Sequence, residues 1–195
     1  MTDGAASHPG STTLRPADLR RRRVDEVRQA VAVLSPDSGV RLLGHDDGGV
    51  LDHRDDVTRD LREVLKTGDA PTVLVAPWRG DGHRDHRVVG EICAELALEL
   101  GAQMLEYPIW MWHWGTPDEP LVPWPQLRAL ALCDRSVVRK HRAVAAHVTQ
   151  VRAASAAPTD AAPLHADFLT AFDRAEVLLG QRCERHRPLA LLVPA

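Results

Sequence analysis

At 195 residues, 44% hydrophobic and 26% charged, the chain has the makeup of one soluble globular domain, long enough for a full core and short for two. No apolar run approaches the roughly 18–20 residues of a spanning helix, which argues against membrane insertion. A formal charge of −3 argues against nucleic acid as an electrostatic partner, and the local run Arg20-Arg21-Arg22-Arg23 reads as a solvated helix face.

From the amino terminus, Met1 to Pro9 lacks the basic and then apolar regions of a signal peptide. Pro16 suits a first helical turn, and Leu19, Val24, Val27, Val31 and Leu34 follow at helical spacing up to Ser35-Pro36. Val40 to Gly44 reads as a short strand closed by the loop His45-Asp46-Asp47-Gly48-Gly49. A helix is predicted from Asp55 to Lys66, with Val57, Leu61, Val64 and Leu65 inward. Thr72 to Ala76 is a continuous apolar run, the pattern of a strand buried on both faces. Val88, Val89, Ile92, Leu96 and Leu100 then mark a helix from about Asp85 to Gly101, and Met104 to Tyr107 resumes strand character.

This alternation predicts an α/β fold with a parallel sheet. Four of the five tryptophans fall between Trp110 and Trp124, in a proline-rich segment suited either to a pocket wall or to a satellite core. Leu130 to Leu132 reads as a strand, Ser136 to about Val151 as a helix, and Ala153 to Pro163 as a flexible linker. Phe168 to Leu178 reads as a last amphipathic helix. Cys93, Cys133 and Cys183 form no Cys-x-x-Cys pair, which favours reduced thiols and a cytoplasmic location.

The chemistry gathers at Gly80-Asp81-Gly82-His83-Arg84-Asp85-His86, where a buried strand passes through glycines into a helix. Ligands of open α/β sheets collect outside the carboxyl ends of strands. His83 and His86 are three residues apart and can face one cavity, and Asp85 can cap the helix or orient a ring. A helix amino terminus disfavours imidazolium and keeps histidine in the neutral, metal-ligating form. Zinc suits such a site, one histidine ligating and the other serving as general acid. Two solvated histidines around a capping aspartate are the bland alternative.

Gly82-His83-Arg84-Asp85-His86-Arg87-Val88-Val89-Gly90 resembles the second motif, Gly-His-Pro-Asp-His-Arg-x-x-Gly, of the PIG-L/LmbE-like zinc-dependent deacetylases, with Arg84 in place of proline. Arg23-x-x-Glu26-x-x-x-Ala30, Leu43-Gly44-His45-Asp46-Asp47-Gly48, the Tyr107 to Trp114 segment and Lys140-x-x-Ala143-x-x-x-His147-x-Thr149-Gln150 resemble other family segments in order. The resemblance implies a Rossmann-like three-layer sandwich over residues 1–180, with 181–195 as a tail. It implies a hydrolase removing acetyl from an N-acetylglucosamine-type amino sugar or glycoconjugate. It also implies zinc as cofactor, His86 as its ligand, His83 as general acid, and Arg23 and Asp47 as sugar-binding residues.

The family's first motif, Ala-His-Pro-Asp-Asp-Glu, has no counterpart here, and Ser7-His8-Pro9-Gly10 lacks its aspartates. The expectation is therefore a domain lacking its amino-terminal strand or strands, with an upstream start favoured over natural shortening. An incomplete zinc site would leave this chain inactive or impaired. Two alternatives stand beside that reading: a non-catalytic remnant binding a sugar-like ligand or partner through the tryptophan segment, and a metal-free structural domain.

Overall fold

The computed structural model describes residue 2 and residues 4–66 and 73–181. Of the sequence expectations, Thr72, Cys183 and the tail beyond residue 181 lie outside the described residues.

Helix α1 runs over Pro16–Leu34, as its starting proline and the Ser35-Pro36 stop predict. Its buried stripe is Leu19, Glu26 and Ala30, facing α5, whereas Leu34 is exposed. The segment 40–44 is not a strand. An isolated parallel bridge joins the next residue, His45, to Thr2, and among the described residues no continuous neighbour extends it along 40–44. Helix α2 covers Arg54–Leu65, strand β1 Val73–Pro77, helix α3 Arg84–Leu100 and strand β2 Gln103–Tyr107.

Helix α3 is the pivot of the fold. One side packs Val88, Val89, Ile92 and Leu96 on Val50 and on Val57, Leu61 and Leu65 of α2. The other sets Ala97 against Ala76 of β1 and Met104 of β2. At about 1.5–3 kcal/mol per buried aliphatic side chain, this double contact fixes the helix far more firmly than its surface ion pairs do, at about 0–1 kcal/mol each. Those pairs join Arg54 to Glu91 and Glu95, and Arg62 to Glu99. Gly101 takes the left-handed conformation that ends α3, at φ 65°.

After β2 come α4 (Met111–Trp114), β3 (Leu127–Ala131), α5 (Asp134–Ala146), α6 (Val148–Val151), α7 (Ala166–Thr170) and β4 (Glu176–Gln181). The sheet order is β1-β2-β4-β3. Only β1 and β2 pair in parallel; β4 runs antiparallel to both of its neighbours, so the α/β class holds with a mixed sheet.

Four local expectations are corrected. Strand β1 is not buried on both faces, because it ends the sheet and α3 covers only the side of Leu74 and Ala76, leaving Val73 and Val75 at 47% and 56% exposure. The helix expected over Ser136–Val151 breaks at His147 into α5 and α6. The expected linker is a fixed turn: Asp160 is fully buried and accepts hydrogen bonds from Ser11 and Ser155 Oγ, each at 2.5 Å. The last predicted helix shortens to α7, and Val177 and Leu178 enter β4, where β3 offers backbone partners that outweigh helical periodicity.

Candidate functional site

The site begins where β1 gives way to α3. Trp78 N–H donates to the Tyr107 carbonyl of β2, and Asp81 N–H to the Trp78 carbonyl, folding the chain into a tight turn. Gly82 sits at φ 86°, and a Cβ there would lie 2.8 Å from Trp114 Nε1, so this position admits glycine for both conformation and space.

Asp81 is fully buried at the centre of this turn. Its Oδ1 accepts from the backbone N–H groups of Ile109 at 2.8 Å and Met111 at 2.9 Å. Its Oδ2 accepts from Trp110 N–H at 2.8 Å and faces His86 Nδ1 at 2.5 Å. Burial pushes this carboxyl upward, but the His86 bond and the three amides outweigh it and hold Asp81 below its usual range. It is therefore a carboxylate. No ligand signature marks it in the sequence beyond its position between two glycines, because its amide donors lie 28 to 30 residues away.

The two histidines differ in their partners. Facing the Asp81 carboxylate, His86 Nδ1 carries the proton, so in the neutral ring Nε2 keeps its lone pair. His83 is the N-cap of α3, and its Nδ1 accepts from Asp85 N–H at 3.2 Å, which puts the proton of the neutral ring on Nε2. Burial, and then the neighbouring His86, lower the His83 pKa, against weaker opposing effects of Asp85, Asp47 and Asp81. The rings lie 4.5 Å apart between centroids. One thus offers an N–H and the other a lone pair.

Asp85 lies in the first turn of α3 with its carboxylate turned to another loop. The cap comes from His83, while Asp85 Oδ2 crosses to the N–H of Gly48 at 2.8 Å and ties the 45–49 loop to the helix start. That bond carries Asp47 into the same region, where its Oδ1 accepts from Thr2 Oγ1 at 3.3 Å. Arg23 on α1 donates to Ser7 Oγ at 2.7 Å. All five residues singled out in the sequence, Arg23, Asp47, His83, Asp85 and His86, line one cleft of about 680 Å³.

The cleft has an apolar floor from Val24, Val27, Leu42, Val75 and Val89, and adds two residues not assigned from sequence, His147 and Gln150. These flank Thr149, whose N–H and Oγ1 donate to buried Glu26 at 2.7 and 2.8 Å. Glu26 is one turn from Arg23, so a single carboxylate ties the two walls together. The tryptophan segment does not line this cleft but reaches it through His83. Trp110 stacks on His83 at 5.6 Å and packs tilted against His113 at 4.5 Å, and His113 stacks on Phe168 at 4.0 Å.

Zinc needs three protein ligands in a catalytic site. His86 has the free Nε2 and buried carboxylate support of a ligand. Among the described residues, however, no group of three or more His, Cys, Asp or Glu is placed to hold a metal ion, so they do not by themselves make a zinc site.

The family model described as PIG-L: GlcNAc-PI de-N-acetylase matches residues 1–97, the part of the chain that carries Arg23, Asp47, His83 and His86. Over residues 1–97 the chain is similar to the PIG-L family. Two solved structures share its fold. A40926 pseudoaglycone deacetylase Dbv21 is 16% identical with a TM-score of 0.62, covering 92% of this chain and 76% of that one. A deacetylase triple mutant (Orf2*T) involved in the teicoplanin biosynthetic pathway is 15% identical with a TM-score of 0.64, covering 91% and 77%. None of the curated proteins matches. The α/β class expected from the strand and helix alternation is thus the class of these PIG-L-like folds. Among the described residues, no helix is long and apolar enough to cross a membrane.

Proposed function

We propose that this PIG-L-like chain is a de-N-acylating amide hydrolase for an N-acetylated amino sugar or glycoconjugate. The observation that carries the reading is the pairing of His83 and His86 on one cleft with opposite tautomers, set by opposite partners. An N–H donor suits the oxygen and nitrogen of an amide under attack, since both gain negative charge or a proton as the bond breaks. His83, kept neutral by burial, would supply that donor through Nε2–H, and after taking up the proton released by the attacking water it would pass one proton to the departing amine and return to the neutral ring. Arg23 and Asp47 would hold sugar hydroxyls, and Trp110, stacked on His83, would steady that ring from behind the cleft lining. Zinc is the metal this chemistry would use, with His86 as one ligand. Among the described residues no further ligands join it. An incomplete ligand set supports a weak hold on zinc and impaired turnover for the chain alone.

The test is release of primary amine and acetate from a panel of N-acetylated amino sugars, with and without added zinc, alongside metal analysis of the purified chain. His86→Ala should lower zinc retention, whereas His83→Ala should keep it and abolish any turnover. Equal zinc loss in both variants would overturn the division of roles. Tight sugar binding without amine release at saturating zinc would favour the non-catalytic reading instead.

A further inference from the structure

Asp81 joins two parts of the site that are far apart in sequence. Its Oδ2 is shared by His86 Nδ1 and by the backbone N–H of Trp110, while Oδ1 holds the amides on either side of Trp110. Its own carbonyl accepts from Trp114 Nε1 at 3.0 Å. The Trp110 ring stacks on His83, and His83 lies against His86. The contacts close a circuit: His86, Asp81, Trp110, His83 and back to His86. With Asp81 at 0% exposure, water does not compete for its oxygens, and each lost partner must be replaced from within the circuit.

We propose that Asp81 is a positioning residue that fixes the His86 ring and the Trp110 backbone as one unit. The ring that presents a lone pair and the indole stacked on His83 then cannot shift independently. Any ligand pressing on Trp110 is felt at His86, and any ion or hydrogen-bond donor drawn to His86 Nε2 is felt at the 109–111 amides. The assignment builds on the proposed role of His86, but its test reads the ring directly.

The experiment uses the full chain with ¹⁵N-labelled histidine at neutral pH. Long-range proton–nitrogen spectra should show His86 as the Nδ1–H tautomer. Asp81→Asn keeps the shape but replaces one acceptor oxygen by an N–H₂ donor, so His86 should leave that tautomer. In the reverse direction, His86→Ala should shift the amide resonances of Ile109, Trp110 and Met111. An unchanged His86 tautomer in Asp81→Asn, or unmoved 109–111 amides in His86→Ala, would overturn the coupling and leave Asp81 as a tie for the loop alone. Should Asp81→Asn not fold, the His86→Ala arm decides. Absence of amide hydrolysis with both spectral responses intact would sink the proposed function and leave this inference standing.

Discussion

Replacing Glu26 by alanine should be among the most damaging single changes on the cleft walls. Its two oxygens accept from Thr149 N–H at 2.7 Å and Thr149 Oγ1 at 2.8 Å, and both residues are buried. Thr149 N–H is one of the amides left without an intrahelical partner at the start of α6, so the carboxylate caps that helix from α1. Each bond to a buried charge contributes about 1.5–3 kcal/mol, and alanine leaves both donors buried without partners. Relief of the carboxylate's own burial cost offsets part of this, which gives a net loss of about 2–4 kcal/mol for Glu26→Ala. With a urea slope near 2 kcal/mol per M, the unfolding midpoint should fall by about 1–2 M. Thr149→Ala keeps the amide bond and should cost about 1–2 kcal/mol. In the double variant the hydroxyl has nothing left to lose, so the cycle should show a coupling of about 1 kcal/mol or more. A Glu26→Ala loss below about 0.5 kcal/mol, or an additive cycle, would refute the reasoning.

Two further outcomes follow from the same geometry. Gly90→Ala places a Cβ 2.7 Å from the Pro77 carbonyl oxygen and 2.6 Å from Arg79 Cγ, so α3 must move off the end of β1. Overpacking of about 1–3 kcal/mol outweighs the roughly 1 kcal/mol helix-propensity gain, and thermal unfolding should show a lower Tm; a Tm at or above wild type would contradict this close approach. Acidification should also destabilise the chain through His8 and His147. Burial, and for each a smaller effect of Arg23, lower both pKa values, so between the folded value and the unfolded value near 6.5 the unfolded chain binds more protons. Stability is then intact above about pH 6.5 and lost as pH falls, with a slope of up to about 1.4 kcal/mol per pH unit for each histidine. Urea midpoints from pH 8 to 5 test it, with His147→Gln flattening the curve; stability that rises on acidification would refute the sign.

Much of the site was legible because its signals are local. His83 and His86 stand three apart at a strand-to-helix junction, and α1, α2 and α3 announce themselves by caps, prolines and a 3.6-residue apolar period. Errors came where a neighbour distant in sequence decides the outcome. The 40–44 segment has the composition of a strand but no ladder to join, whereas Val177 and Leu178 have helical spacing and are claimed by β3. The 153–163 segment has a linker's composition, yet Asp160 is held by Ser11, 149 positions away. Asp81 escaped for the same reason, since nothing near it in sequence reveals the 109–111 amides that converge on it.

By itself, the sequence determined the α/β class and the helices that frame the cleft, and it singled out His83, His86, Arg23 and Asp47 as candidates, because short-range periodicity and motif chemistry are written in neighbouring residues. Only the tertiary structure decided which nitrogen of each histidine bears the proton. That choice depends on Asp81 and on the Asp85 amide, which are placed by the packing of α3 between α2 and the sheet. The chemistry of an imidazole is set by its partner, and burial is what holds that partner in place.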